Sequence, residues 1–169
     1  MDYPTGNFSM FPHQYKEIVG TIEKIDKANV LVFGCGSDSP LYRTATLGRV
    51  VFIEDHPYFF ENCPYEKYLV SYTTSVGVWW PEDTPTDFPK ELLEVTWDVI
   101  IVDGPTGYAW DCPGRQLSIY TASLFQETAI VYVHDYNREW EKACCMKYFM
   151  KGPHLYGVGD RTLAKFGGK

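Results

Sequence analysis

The 169-residue sequence lacks the features that mark several large classes of protein. It carries 15 basic against 22 acidic residues, so it lacks the positive excess with which proteins usually hold nucleic acid or anionic lipid. It has neither a basic leader followed by an apolar core nor an apolar run long enough to span a membrane. We therefore expect a cytoplasmic protein with no nucleic-acid or membrane partner.

The five cysteines lack both metal-ligand spacing and the pattern of a secreted disulfide framework. Their number is odd, and only Cys144 and Cys145 are adjacent. A reducing compartment is the simplest expectation. Cys35, between two glycines, is expected to be a small, partly buried filler rather than a nucleophile.

Internal repeats and low-complexity tracts are also absent, and the length suits one domain over residues 1–169. Residues 1–10 are predicted to form an irregular arm. Aromatic residues make up 17% of the chain, and some of their rings could line a cavity or stack on a sugar or base.

The most informative stretch is Val30 to Ser39, where an apolar run ends on a glycine-rich turn. The run predicts a strand buried on both faces, and Gly34 and Gly36 would let a nucleotide-like ligand approach the backbone. Glu54 stands 20 residues after Gly34, at the end of a second apolar run. A carboxylate there can accept both hydroxyls of a ribose, so the pattern predicts a nucleotide-type ligand.

Strand-like runs alternate with helical patterns along the chain. The predicted strands are 30–33, 49–54, 67–73, 97–103 and 129–135, with a closing hairpin at 155–166, and the main helices are 13–27, 115–127 and 139–150. This order predicts an α/β fold with a mostly parallel, doubly wound sheet and an antiparallel C-terminal hairpin. Residues 77–89, which contain Trp79 and Trp80, are predicted to form a loop that could act as a lid.

Ionisable residues stand where two predicted strands end, and ligands of such sheets bind beyond the carboxyl ends of strands. Asp103 ends one strand, and His134 and Asp135 end the next. Asp103 or His134 could accept a proton from a substrate hydroxyl. Alternatively, Asp103, Asp135 and Asn137 could hold a divalent cation, or the group could only position substrate. We favour a proton acceptor without a metal; a plainer alternative is that the aspartates cap the segments that follow.

Two arginines lie near these strand ends. Arg115 begins a predicted helix after a glycine-rich loop, a position suited to a two-pronged grip on a substrate carboxylate. Arg138 could serve likewise, or could be a solvated surface residue.

Six ordered motifs resemble the plant polysaccharide-biosynthesis family of S-adenosylmethionine-dependent methyltransferases, which includes glucuronoxylan 4-O-methyltransferases. They are VFGCGSDS, FIED, WDVIIVDGPTGY, CPGR, IYTA and VHDYNRE. The resemblance implies a Rossmann-like methyltransferase fold with S-adenosylmethionine as cofactor. It also implies methyl transfer to a hydroxyl of a sugar, a uronic acid or another small polar acceptor.

The resemblance also implies roles for single residues. Those that would contact the methionine part of the cofactor are Gly34, Gly36, Ser37, Asp38 and Ser39. Glu54 would hold the ribose, and Asp55 would lie near the adenine. Asp103 would sit at the methyl-transfer site. Those that would line the acceptor side are Arg115, His134 and Asp135.

Two other functions stay open at this point. An NAD-dependent oxidoreductase would also suit Gly-x-Gly followed by an acid, although Ser39 replaces the third glycine of the full fingerprint. A noncatalytic or repurposed S-adenosylmethionine-binding protein would keep the fold without the reaction. The acidic and histidine side chains at the strand ends weigh against that second alternative.

Overall fold

A single sheet forms the centre of the computed structural model, which describes residues 3–4, 10–81, 87–157 and 159–167. Its strands are β1 (Val30–Phe33), β2 (Val50–Glu54), β3 (Lys67–Leu69), β4 (Val99–Val102), β5 (Ile130–Val133), β6 (His154–Tyr156) and β7 (Leu163–Phe166). Its helices are α1 (Pro12–Ile22), α2 (Ser39–Thr44), α3 (Pro57–Asn62), α4 (Gln116–Ser123) and α5 (Glu139–Tyr148), with a 3-10 helix at Lys90–Glu94.

The seven strands lie in the order β3-β2-β1-β4-β5-β7-β6. The first five strands in this order run parallel to one another, and β7 is antiparallel to both β5 and β6. This arrangement confirms the predicted α/β fold and its antiparallel hairpin. Strand order reverses between β1 and β4, so a crevice opens at the carboxyl ends of these two strands.

The core lies on both faces of the sheet, as the continuous apolar runs predict. Leu31 and Phe33 of β1 pack on the face covered by α4 and α5. Val30 and Val32 pack on the opposite face with α1 and α2. The central strands are therefore clamped from both sides, which holds their carboxyl ends in register.

Most predicted elements are longer than the observed ones, and the third strand and the first helix illustrate the difference. The third strand was expected to reach Thr73 but ends at Leu69, because its partner β2 ends at Glu54, opposite Leu69. The first helix was expected to reach Lys27 but ends at Ile22. Lys27 has φ 51, outside the helical region.

A disulfide joins Cys35, in the turn after β1, to Cys63, just after α3. This corrects the expectation that Cys35 is only a small, partly buried filler, and it counts against the reducing compartment inferred from the cysteine pattern. Cys112, Cys144 and Cys145 are free and buried.

Two further expectations concern residues that are only partly described. Most of the irregular arm over residues 1–10 lies outside the described residues, as do residues 82–86 of the predicted loop at 77–89. Among the described helices, none is both long enough and apolar enough to cross a membrane.

Candidate active site

The turn after β1 packs directly against the turn after β4. Gly34 has φ 105, and a Cβ added to it would lie 3.3 Å from the backbone nitrogen of Gly104. A Cβ added to Gly104 would lie 2.9 Å from the Cα of Gly34. Glycine is thus required at both positions by a close backbone contact. Gly36 is exposed, so the opening expected for a ligand lies at the second glycine rather than the first.

Glu54 ends β2, and its buried carboxylate holds three backbone N–H groups. Oε2 accepts a hydrogen bond from Cys35 at 2.7 Å, and Oε1 accepts from Asp55 at 3.0 Å and His56 at 2.8 Å. A carboxylate offers about four acceptor positions. Glu54 therefore fixes the glycine turn to β2 and still has acceptor capacity for a ribose hydroxyl.

The residues after Gly36 differ in what they offer a ligand. Ser39 is buried, and its Oγ accepts a hydrogen bond from Gly36 at 3.0 Å, so it braces the turn from within. Ser37 is exposed and Asp38 is half-buried. Tyr42 donates its hydroxyl to Asp38 at 2.9 Å.

Asp38 lies close enough to the far half of the site to sense its charge. Burial, followed by the negative charge of Asp103, raises the pKa of Asp38 to about 6. Burial, followed by the negative charge of Glu54, raises the pKa of Asp55 to about 6 as well. The crevice thus contains two carboxyl groups that change charge near neutral pH.

A narrow, mainly apolar crevice lies beside Glu54 and Asp55. Its lining residues are Phe33, Val70, Ser71, Tyr72, Asp87, Phe88, Leu117 and Thr121. Burial raises the pKa of Tyr72, and the charges of Asp55 and Glu54 add to that rise, so the hydroxyl lies near both carboxylates. The open space between these walls is about 10 Å³, which is room for about one water molecule, so a flat aromatic base would enter only if the walls moved apart.

The parallel register of β4 and β5 brings the next charged group together. Val102 pairs with Val133, so Asp103 and His134, which follow them, emerge side by side. Nδ1 of His134 lies 2.8 Å from Oδ1 of Asp103 and 3.6 Å from Oδ2 of Asp135. The predicted convergence of these three residues is therefore observed.

Arg115 is buried at the start of α4 and holds this group together. Its Nη2 lies 3.2 Å from Oδ1 of Asp103 and 3.0 Å from Oδ2 of Asp135, and its Nη1 donates to the carbonyl of His134 at 2.7 Å. Arg138 lies 2.8 Å from the same oxygen of Asp135. Both guanidinium groups thus contact the protein's own carboxylates, and two positive charges balance two negative ones.

Among Asp103, His134, Asp135 and Arg115, Asp103 is the side chain that reaches solvent. Its side chain is 24% exposed, whereas that of His134 is 1% exposed. Burial raises the pKa of Asp103, but the hydrogen bond of His134, the charge that His134 carries when it is protonated, and the charge of Arg115 outweigh burial, so the pKa lies below its usual value. Asp103 therefore presents a carboxylate to the crevice, with the imidazole directly behind it.

The metal and capping alternatives fit the geometry less well. Asp103, His134 and Asp135 offer three possible ligand atoms within 4.8 Å of one another, but Arg115 already supplies the compensating charge between the two carboxylates. Oδ1 of Asn137 accepts a hydrogen bond from Thr162 at 2.9 Å, so it is committed to the strand that follows. The residues that cap α4 and α5 are Arg115 and Arg138, and the carboxylates of Asp103 and Asp135 contact these arginines and His134 instead.

Glu141 is a site neighbour that the sequence analysis did not single out. It is fully buried in α5, and both carboxylate oxygens lack a hydrogen-bond partner among the residues that the structure describes. Burial raises its pKa, against the opposing charge of Arg115. Its spacing in the sequence could have marked it: Glu141 precedes the buried Cys144 and Cys145 by three and four residues, and this spacing places all three on the same face of the helix.

Comparison with known proteins identifies the family. Residues 84–166 match the family model described as IRX15/IRX15L/GXM. Glucuronoxylan 4-O-methyltransferase 3 of Arabidopsis thaliana is 33% identical over 165 residues, which cover 78% of this chain and 55% of that protein. The chain belongs to the IRX15/IRX15L/GXM family. Arabinogalactan O-methyltransferase 2 of the same plant is 27% identical and matches 78% of this chain and 58% of its own length.

The chain thus spans somewhat more than half the length of these curated relatives. Two solved structures share its fold. Precorrin-6y C5,15-methyltransferase from Geobacter metallireducens has a TM-score of 0.59 at 10% identity, over 96% of this chain and 91% of that one. Cofactor-bound Rv0187 from MTB has a TM-score of 0.58 at 14% identity, over 95% and 82%. The Rossmann-like methyltransferase fold implied by the sequence motifs is therefore confirmed.

Proposed function

We propose that this member of the IRX15/IRX15L/GXM family is an S-adenosylmethionine-dependent O-methyltransferase that acts on a saccharide hydroxyl. The observation that carries the proposal is the pairing of Asp103 with His134 at 2.8 Å, at the same sheet edge as the glycine turn and Glu54. The relatives named as glucuronoxylan and arabinogalactan O-methyltransferases support a saccharide as acceptor.

The first half of the site offers carboxylate acceptors that suit the cofactor. Gly36 and Ser37 leave the turn accessible, and the carboxylate of Asp38 can pair with the ammonium group of a methionine moiety. Glu54 can accept hydrogen bonds from a ribose, and Asp55, the next residue, would lie near the adenine. When bound, S-adenosylmethionine supplies a methyl group that is already activated on a sulfonium.

The second half of the site handles the acceptor proton. Asp103 accepts a hydrogen bond from the acceptor hydroxyl and orients its oxygen. The proton then moves from that hydroxyl onto the Asp103–His134 pair, where carboxylates on two sides of Nδ1 stabilise it. Arg115 holds both carboxylates in place. Orientation of the reacting oxygen lowers the barrier further, because the encounter becomes effectively intramolecular.

The test is methyl transfer from labelled S-adenosylmethionine to glucuronoxylan oligosaccharides, arabinogalactan oligosaccharides and free glucuronic acid. Asp103→Asn should lower turnover by about 10²- to 10⁴-fold, since general-base catalysis contributes about that much. Its affinity for S-adenosylhomocysteine, measured by calorimetry, should stay nearly unchanged. Asp26→Asn, at an exposed position between α1 and β1, is the matched control and should keep full turnover.

Three results would contradict the proposal in different ways. Normal turnover in Asp103→Asn would remove the assigned base. Tight binding of S-adenosylhomocysteine with no transfer to any saccharide would favour the noncatalytic alternative. Binding of NAD in place of S-adenosylhomocysteine would favour the oxidoreductase.

A further inference from the structure

Three large aromatic side chains are exposed on loops beside the candidate active site. The exposed fractions are 82% for Trp110, 72% for Tyr108 and 45% for Trp79. Tyr108 and Trp110 belong to the loop that starts at Asp103 and returns to Arg115. The two ends of that loop meet in a salt bridge of 3.2 Å, so its base is anchored at the charged group.

Trp79 lies on a second loop that packs against the first. The backbone N–H of Val76 donates to the carbonyl of Cys112 at 3.1 Å. The ring of Trp79 lies 4.7 Å from that of Trp140, and a Cβ added at Gly114 would lie 3.2 Å from Trp140 as well. Both loops therefore contact one tryptophan, Trp140, and lie next to each other.

The loop that carries Tyr108 and Trp110 is held by its own hydrogen bonds. The N–H of Cys112 donates to Ala109 at 3.1 Å, and that of Gly114 donates to Thr106 at 2.9 Å. Trp110 thus projects from a hydrogen-bonded turn rather than from an extended segment. Several large apolar side chains exposed together on an ordered surface mark a binding region.

We propose that Trp79, Tyr108 and Trp110, here called the aromatic rim, bind the saccharide units that flank the unit to be methylated. Sugar rings present C–H groups on one face, and these pack against the faces of aromatic side chains. The loop that carries Tyr108 and Trp110 begins at Asp103 and is anchored there by Arg115, so a saccharide chain with one unit at Asp103 would have neighbouring units within reach of the rim. The inference rests on the proposed function and makes the acceptor an oligomer or polymer.

Charge distinguishes this occupant from the other common polymer that stacks on exposed aromatic rings. Single-stranded nucleic acid binds where aromatic rings line a positively charged groove. The formal charge of this chain is −7, and Arg115 and Arg138 are paired with Asp135. One cation is shown against the rim: Nζ of Lys147 lies 4.6 Å from the ring centre of Trp79, which is less than the row of positive charges that a nucleic-acid groove presents. A saccharide chain of low charge density fits this surface better.

The experiment compares a glucuronoxylan oligosaccharide with free glucuronic acid as acceptors for Trp110→Ala and Tyr108→Ala. We expect KM for the oligosaccharide to rise about tenfold in Trp110→Ala, since one aromatic contact contributes about that factor, with kcat unchanged. The kinetics with glucuronic acid should not change, because a single unit does not reach the rim. Leu47→Ala is the matched control, an exposed apolar position just before β2 at the opposite edge of the sheet.

Direct binding separates this inference from the proposed function. Without cofactor, the oligosaccharide should quench the tryptophan fluorescence of the wild type, with weaker affinity in Trp110→Ala. That result without methyl transfer to any acceptor would support the rim and reject the proposed activity. An unchanged KM and affinity for the oligosaccharide in Trp110→Ala, or an equal change for both acceptors, would overturn the inference.

Discussion

The two halves of the candidate site are built from different kinds of contact. At the ends of β1 and β2, hydrogen bonds from backbone N–H groups hold the site together. Glu54 accepts three of these bonds, and Ser39 accepts one from Gly36. The Cys35–Cys63 disulfide also links the turn to the segment after α3. At the ends of β4 and β5, charged side chains hold one another through Arg115.

The two halves also differ in how far their polar atoms are satisfied. In the second half, buried side-chain atoms of His134, Trp140 and Glu141 have no hydrogen-bond partner among the described residues, whereas the carboxylate of Glu54 has three. We infer that the first half is a preformed cradle and that the second keeps reactive groups poised at a cost in stability. Substitutions in the two halves should therefore have different consequences.

The largest effect on stability is expected from Arg115→Met, in the side-chain half. It would leave Asp103 and Asp135 without their shared partner, and breaking a buried charge network costs about 3 to 5 kcal/mol. Urea unfolding measures the loss. Arg138→Met, which removes a more exposed partner of Asp135, should cost about 1 kcal/mol or less. Equal losses in the two variants would contradict the central position given to Arg115.

In the backbone half, the largest effect is expected from removal of the disulfide. Cys35→Ser combined with Cys63→Ser should lower the free energy of unfolding by about 2 to 4 kcal/mol, because the cross-link restricts the unfolded chain. Affinity for S-adenosylhomocysteine should also fall, since Cys35 lies in the glycine turn. Reduction of the wild type by dithiothreitol should reproduce both changes, and a wild type indifferent to reductant would show that this tie is absent in solution.

The pH dependence of the affinity for S-adenosylhomocysteine tests the first half of the site separately from the second. Asp38, with a pKa of about 6, is mostly neutral at pH 5 and mostly charged at pH 7, and only the charged form attracts an ammonium group. Affinity for S-adenosylhomocysteine by calorimetry should therefore increase about tenfold from pH 5 to pH 7.

Two variants check the assignment of that pH dependence. Asp38→Asn should abolish most of it. Asp55→Asn removes the other carboxyl with a pKa of about 6 and should retain it. The opposite outcome would exchange the roles of the two aspartates.

The smallest effect is expected at Glu141. Its folded-state pKa is raised by burial, so the protonated form favours folding and stability is lost as the pH rises through that pKa. Glu141→Gln should therefore be more stable than the wild type at pH 8, by about 1 kcal/mol, with a smaller difference at pH 5. Glu139→Gln, exposed in the first turn of the same helix, should show no such gain; a similar gain there would make the effect one of general charge.

The sequence predicts those parts of the molecule that depend on local pattern. Continuous apolar runs indicate the central strands, and the carboxyl ends of parallel neighbours must share one edge, which is why Asp103 and His134 could be placed together without knowing any distance. The predicted edge strand β3 is too long, because β3 can extend only as far as its partner β2, which ends at Glu54.

What the sequence could not predict depends on contacts between distant segments. The Cys35–Cys63 disulfide spans 28 residues with no motif to mark it. A side chain at Gly34 or Gly104 would collide with the backbone of the other turn, and this contact cannot be read from either turn alone. Arg115 was expected to hold a substrate carboxylate, but its buried partners become visible only when α4 is seen behind β4 and β5.

The most direct test of the account is a titration of the isotope-labelled protein with S-adenosylhomocysteine, followed by the backbone amide resonances. We predict saturable shifts that are largest in residues 34–39 and 54–56, with smaller shifts near Asp103 and none at the opposite edge around Arg49 and Glu66. Shifts centred on that opposite edge, or an absence of saturable binding, would contradict the assignment of the cofactor to the turn after β1.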